Sequence, residues 1–166
     1  MTVQPFNKFN ENTTIFLKNL EQVTNHKIYF FGSSRRFDYI DGCDIDIAMF
    51  TDNIPSLISK IIAFLNIKND FKEIVNIQKN MLINGYKLNY INEDINIELV
   101  IYDTKFKNIM IEFYEKSSNL PFIISIILLC LKYLNIYGLL DRKMYYKIKI
   151  FLFNNFYYSS KLVVIN

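Results

Sequence analysis

Histidine occurs once in these 166 residues, cysteine twice, proline three times and glycine four times. Each scarcity closes off a class of protein. His26 has no serine or cysteine motif around it, so a His-based nucleophilic triad has no material. It reads as structural or simply exposed. Cys43 and Cys130 have neither metal-ligand spacing nor the numbers for a disulfide framework, so a reducing compartment, the cytoplasm, is expected. So little glycine and proline, beside 51% hydrophobic and 16% aromatic residues, argues against disorder away from the ends. No internal repeat or low-complexity linker is visible. No basic segment followed by an apolar one opens the sequence. The most apolar run, Leu120 to Leu131, is closed by Lys132 and is shorter than the roughly 20 residues of a membrane span. A buried helix is expected there, and no membrane partner.

Charge is present but unevenly placed. The net charge is +3. Up to Asp103 there are ten Lys/Arg against thirteen Asp/Glu, and from Thr104 onward nine against three. A basic rear suits a polyanionic partner, and equally a solvated helix face.

The apolar pattern predicts elements in order. Asn12 or Thr13 is placed to cap a helix carrying Ile15, Phe16, Leu20 and Val23, ending near Asn25. Lys27 to Phe31 reads as a strand, Gly32-Ser33-Ser34 as a turn, Arg35 to Cys43 as a polar loop, and Asp44 to Phe50 as a strand. Pro55 starts a helix over about Ile54 to Leu65, with Leu57, Ile58, Ile61, Ile62 and Leu65 inward. Phe71 to Tyr102 reads as β, with a strand over Ile74, Val75 and Ile77. Asn84-Gly85 is predicted as a hairpin turn, and Asn92 to Asp94 as a second turn. Helices follow over Lys105–Lys116, Phe122 to about Tyr137, and Asp141–Tyr158, with Gly138 ending the middle one. The sum is α+β: a mixed sheet of about five strands flanked by helices, with a helical C-terminal extension. The expected division is 1–103 for a catalytic domain and 104–166 for the extension.

The chemistry gathers in YFFGSSRRFDYIDGCDIDIAMF, from Tyr29 to Phe50. Asp44 and Asp46 are two apart on a strand and share a face, with Ile45 and Ile47 on the other. Carboxylates held together repel unless a cation neutralises them, and hard divalent cations take oxygen ligands while leaving room for phosphate. Glu98, alone among apolar neighbours in INIELVI, is the natural third ligand, because an unpaired buried charge is costly. Asp94 and Asp103 fall at a turn and a strand end and fit less well. Gly32 permits a tight turn and close approach. Ser33 offers a hydroxyl, with the N–H groups after it forming an anion nest. Arg35 or Arg36 is placed to offset charge on a leaving pyrophosphate.

In these residues the sequence resembles the DNA polymerase beta-like nucleotidyltransferase superfamily. Phe31-Gly32-Ser33, a ten-residue spacer, Asp44-Ile45-Asp46-Ile47 and later Ile97-Glu98-Leu99 stand in its order. Arg35-Arg36 and Gly42-Cys43-Asp44 are similar to family X DNA polymerases and poly(A) polymerases in particular. The resemblance implies transfer of a nucleoside monophosphate from a nucleoside triphosphate, ATP among them, to an acceptor hydroxyl. It implies two magnesium ions, or manganese in their place, held by Asp44, Asp46 and Glu98, with Gly32, Ser33 and Arg36 on the nucleotide side. Phe37 departs from the pattern, standing where many members have a small residue. Leu128 to Leu139 resembles a helix of poly(A) and terminal uridylyl transferases in which Lys132 and Tyr133 would hold the triphosphate. Its second half also resembles the tail of a small family X polymerase. Lys132 on its own reads equally as a core-helix lysine with a snorkelling stem.

The acceptor stays open: a nucleic-acid 3′ end, a protein side chain or a small molecule. Arg142, Lys143, Tyr145, Tyr146, Lys147, Lys149, Tyr157 and Tyr158 supply the charge and rings that single-stranded nucleic acid uses, and also fit an ordinary amphipathic helix. The other reading is a minimal nucleotidyltransferase-like antitoxin or regulatory module that binds a protein partner, with Phe122–Leu131 as its interface.

Overall fold

The computed structural model describes residues 9–40, 42–79, 81–92, 95–156 and 162–163. The expectations for Asp94, Tyr157 and Tyr158 lie outside them. Helix α1 (Glu11–Thr24) leads to strand β1 (Tyr29–Phe30), a 3-10 turn (Gly32–Arg35) and strand β2 (Ile45–Thr51). Helix α2 (Ile54–Leu65) is followed by β3 (Lys72–Gln78), β4 (Met81–Asn92) and β5 (Ile95–Asp103). Helices α3 (Lys107–Ser118), α4 (Phe122–Ile136) and α5 (Arg142–Phe156) and a short strand β6 (Leu162–Val163) complete the order. The fold is α+β, as expected. The sheet order is β1-β2-β5-β4-β3-β6, with β2 and β5 parallel and the other pairs antiparallel.

Alternation in β2 and β5 gives the sheet two buried faces. Ile45, Ile47 and Met49 with Ile97, Leu99 and Ile101 face α1 and α2, where Leu17, Leu20, Leu57, Ile61 and Leu65 meet them. Ala48, Phe50, Val100 and Tyr102 face the other way, onto Met110 and Tyr114 of α3. Helix α2 starts where Pro55 indicates, with Asn53 Oδ1 accepting from Ser56 N at 3.1 Å. Its Ile58 and Ile62 are half-buried beside the buried Leu57, Ile61 and Leu65.

Four expectations are corrected. Helix α1 is capped by Asn10, whose Oδ1 accepts from Thr13 N at 2.7 Å, rather than by Asn12 or Thr13. Its buried face is accordingly Thr13, Leu17, Leu20 and Thr24, and Ile15 and Val23 are exposed. The strand predicted over Lys27–Phe31 shrinks to Tyr29–Phe30. Asn84-Gly85 is not a hairpin turn: β4 runs straight through it, with Asn84 opposite Val75 and Gly85 opposite both Ile74 and Tyr102. The chain instead reverses between Gln78 and Met81, where Lys79 has φ 48°. Finally, α4 is not buried all round. Ile124, Ser125, Leu128 and Lys132 face inward, while Phe122, Ile123, Ile126, Ile127, Leu134 and Ile136 are exposed. Among the described residues no single helix is long and apolar enough to cross a membrane; a pair bent by 83°, Thr104–Ser118 with Phe122–Ile136, passes that test of length and composition together.

Gly85 is glycine because of a close approach. A Cβ there would lie 2.5 Å from Cε1 of the Tyr102 ring, which crosses over its backbone. Tyr102 is 2% exposed and has no room to retreat. Gly85→Ala is therefore expected to destabilise the fold by roughly 1–3 kcal/mol through overpacking, measured by urea unfolding. A loss indistinguishable from zero would contradict the contact.

Candidate metal and nucleotide site

The site forms at the end of β1 and the start of β2, on the sheet's second face, where Phe31 stacks on Tyr114 of α3 with centroids 4.3 Å apart. Phe31 N donates to Asp46 O at 3.0 Å, which carries the antiparallel pairing of β1 and β2 one residue further. The chain then turns at Gly32, in the left-handed region with φ 65°. A Cβ on Gly32 would overlap the Asp46 carboxylate, so the absence of a side chain lets the turn and the acid share one space. Ser33 and Ser34 follow, both buried. Ser34 Oγ donates to Phe31 O at 2.8 Å and Arg36 N to Ser33 O at 2.9 Å, which fixes the turn.

Parallel pairing of β2 with β5 sets Asp46 directly opposite Glu98. Asp44 stands just before β2, on the same face. One carboxylate oxygen from each of Asp44, Asp46 and Glu98 lies within 4.8 Å of the others. The three carboxylates converge beside the Gly32-Ser33 turn. Asp44 is exposed and the other two are half-buried. All three donors are hard anionic oxygens, the set that suits magnesium or manganese rather than a soft cation.

The electrostatics of this cluster are unfavourable without a cation. Burial, then Glu98, then Asp44 push the Asp46 carboxyl up to about 7, with Lys149 and Arg36 acting weakly against them. Glu98 has a cation of its own: Lys87 Nζ lies 2.6 Å from Glu98 Oε2.

A second charged group lies in the loop between β1 and β2. Arg36 Nε donates to Asp38 Oδ1 at 2.7 Å and Nη2 to Oδ2 at 3.0 Å, with both side chains almost fully buried. Lys132 Nζ donates to the Asp38 carbonyl at 2.6 Å and lies 3.5 Å from its carboxylate. Burial raises the Asp38 carboxyl, but the Arg36 hydrogen bonds and the charges of Arg36 and Lys132 outweigh it and hold it below the usual range. Burial draws the Lys132 ammonium down against the pull of Asp38.

Arg36 is thus committed to Asp38 and to the Phe153 ring, 5.6 Å from its guanidinium carbon. Lys132 is committed to the loop that bears Asp38. Arg35 Nη1 is buried with no hydrogen-bond partner among the described residues. Phe37 is exposed and packs on Phe122 with centroids 5.6 Å apart. Tyr133 is exposed and stacks on Tyr137. Asp103 caps the turn before α3 by accepting from Lys105 N. His26 Nδ1 lies 2.7 Å from Thr24 O, a local contact. In the basic tail, Tyr145 is buried and Lys149 half-buried, while Arg142, Lys143, Tyr146 and Lys147 are exposed.

Sequence reasoning missed Asp38 and Lys87. Asp38, two residues after Arg36, carried a local ion-pair signal. Lys87 carried none, because its partner depends on the register of β4 against β5.

Neither a family model nor a curated protein matches the sequence. Among solved structures, the chain is similar to Cid1 in complex with the UTP analog UMPNPP, with 14% identity over 77% of this chain and 42% of that one, TM-score 0.43. It is similar to a cytoplasmic RNA terminal U-transferase, with 13% identity over 77% of this chain and 41% of that one, TM-score 0.44. It is also similar to the GLD-2/RNP-8 complex, with 12% identity over 86% of this chain and 52% of that one, TM-score 0.43. The chain therefore spans only about half, or less, of the structures it matches.

The raised Asp46 carboxyl has a signed consequence. Its folded value lies above its unfolded value of 3.8, so the native state holds the extra proton between those limits. Stability contributed by this group falls as pH rises from about 4 to about 7. Asp46→Asn is expected to melt with wild type near pH 4 and progressively above it as pH rises to 8, at roughly 2–4 °C per kcal/mol for a chain of this size. Added magnesium should close the gap. A difference in Tm that does not change with pH counts against it.

Proposed function

We propose that this chain is a metal-dependent nucleotidyltransferase. It moves a nucleoside monophosphate from a nucleoside triphosphate to an acceptor hydroxyl and releases pyrophosphate. One observation supports this most: oxygens of Asp44, Asp46 and Glu98 gather within 4.8 Å beside the glycine-serine turn. The bound cations, two magnesium ions or manganese, would supply charge stabilisation to an in-line displacement at the α-phosphate.

The chain's own groups divide the work. Asp44 and Asp46 bind on the nucleotide side, and Glu98 completes the position nearest the acceptor hydroxyl. Ser33 and the N–H groups of its turn hold the triphosphate. Arg36 and Lys132 act at one remove, by fixing the Asp38 loop between the turn and Asp44. The catalytic residues then belong to 1–103, and the extension 104–166 supports them. A nucleic-acid 3′ end is the acceptor this reading favours, because Arg142, Lys143 and Lys147 are exposed on α5 with Tyr146 among them.

A second reading draws on the exposed Phe122, Ile123, Ile126 and Ile127 of α4. Such a patch favours a protein partner, as in an antitoxin or regulatory module.

Labelled triphosphates, magnesium and mixed oligonucleotides or candidate protein partners separate the two. Transfer is expected, and Asp44→Ala with Asp46→Ala should lower it by about a thousandfold or more. Transfer that survives the double change would sink the mechanism. No transfer to any acceptor, with tight partner binding, selects the module. Ser33→Ala should raise KM for the triphosphate by roughly tenfold, about one hydrogen bond to a charged group, with kcat less affected.

A further inference from the structure

Strands β4 and β5 pair with Asn89 opposite Glu98 and Lys87 opposite Val100. Lys87 is therefore the diagonal neighbour of Glu98 on the same face, within reach of a long side chain. Its Nζ lies 2.6 Å from Glu98 Oε2, and the two side chains are 30% and 25% exposed. Glu98 belongs at once to the carboxylate cluster and to an ion pair. Asp44 and Asp46 differ: among the described residues no ion pair reaches either one. Arg36, the arginine whose charge acts on Asp46, is taken by Asp38.

We propose that Lys87 is a built-in counter-ion that competes with a divalent cation for Glu98. This rests on the reading of the three acids as a cation site. An ammonium and a dication drawn to the same carboxylate repel each other at this separation. Filling the corner at Glu98 requires Lys87 to move off its partner, and a partly exposed four-carbon stem allows that movement. At the Asp44–Asp46 side Lys149 and Arg36 act on Asp46 only through space, and among the described residues no ion pair has to be broken there. Lys87 therefore makes the site unequal: one cation binds readily at the two aspartates, and the cation needing Glu98 binds more weakly than three bare carboxylates would hold it. Lys87 is a positioning residue for Glu98, and it is not placed on the substrate.

The test is binding of Mn2+ alone, without nucleotide, followed by the loss of the free-ion electron paramagnetic resonance signal. Wild type, Lys87→Met, Lys87→Gln, Lys87→Arg and the Asp44→Ala/Asp46→Ala protein are compared, with a melting curve for each. Lys87→Met and Lys87→Gln are expected to tighten the weaker Mn2+ by at least tenfold. Lys87→Arg, which keeps the charge, should bind as wild type does. Two neutral variants guard against one that fails to fold. Unchanged or weaker Mn2+ binding in the folded neutral variants, with binding lost in the double-alanine protein, overturns the role of Lys87 and leaves the cation site standing. No Mn2+ binding in wild type or in any variant overturns the cation site itself, and the competition with it.

Discussion

Three carboxylates held within one small space are a liability that the surrounding structure is built to sustain. The pairing of β2 with β5 is what creates it. It is the parallel pair in an otherwise antiparallel sheet, and its register leaves Asp46 facing Glu98 with no freedom to slip. Slipping by one residue would turn Ile47 and Leu99 out of a fully buried core. The hydrophobic face of these strands therefore enforces the electrostatic crowding of the other. The like charges are kept together by apolar burial that has nothing to do with them.

Around that crowding the remaining polar groups take unequal shares. Gly32 gives up its side chain so that the turn can lie against Asp46. Lys87 offsets Glu98 from a neighbouring strand. Asp38 lies between the turn and the acids in sequence, yet it is neutralised separately, by Arg36 beside it and Lys132 from α4. Asp38 thus adds no unbalanced negative charge beside the cluster. The loop's shape is set by buried charge-assisted hydrogen bonds, which hold geometry more tightly than apolar packing does.

What was legible in the amino-acid order depended on the range of the interaction. Pro55 with an apolar stripe marked α2 almost to the residue, because a helix start is local chemistry. The acid-apolar-acid pattern at Asp44 to Ile47, and the isolated Glu98, were visible because alternation on a strand is local too. Asn84-Gly85 misled for the same reason. Locally it is good turn chemistry, but Gly85 is there to receive the ring of Tyr102, seventeen residues further on. Lys132 was legible as a lysine with something to do, whereas its attachment to Asp38 spans ninety-four positions and leaves no local trace. Lys87 was invisible because the misplaced turn also hid the register that joins it to Glu98. The apolar run of α4 was read as a buried helix, with an interface as the other reading, because composition records how apolar a helix is and not how much surface awaits it.

The tether from Lys132 to Asp38 bears on how separable the parts of this protein are. Every acid of the cluster precedes residue 104, so the cluster looks portable as a short cassette. The fold does not follow that boundary. Ala48, Phe50, Val100 and Tyr102 are roofed by Met110 and Tyr114 of α3, and the loop before Asp44 is pinned from α4. Recombination that carried the acids alone into another chain would leave an uncovered sheet face and a loop with half its anchors. Inheritance of this site is therefore inheritance of its helices as well, and a gene fragment ending at β5 would encode the three acids without the means to hold them.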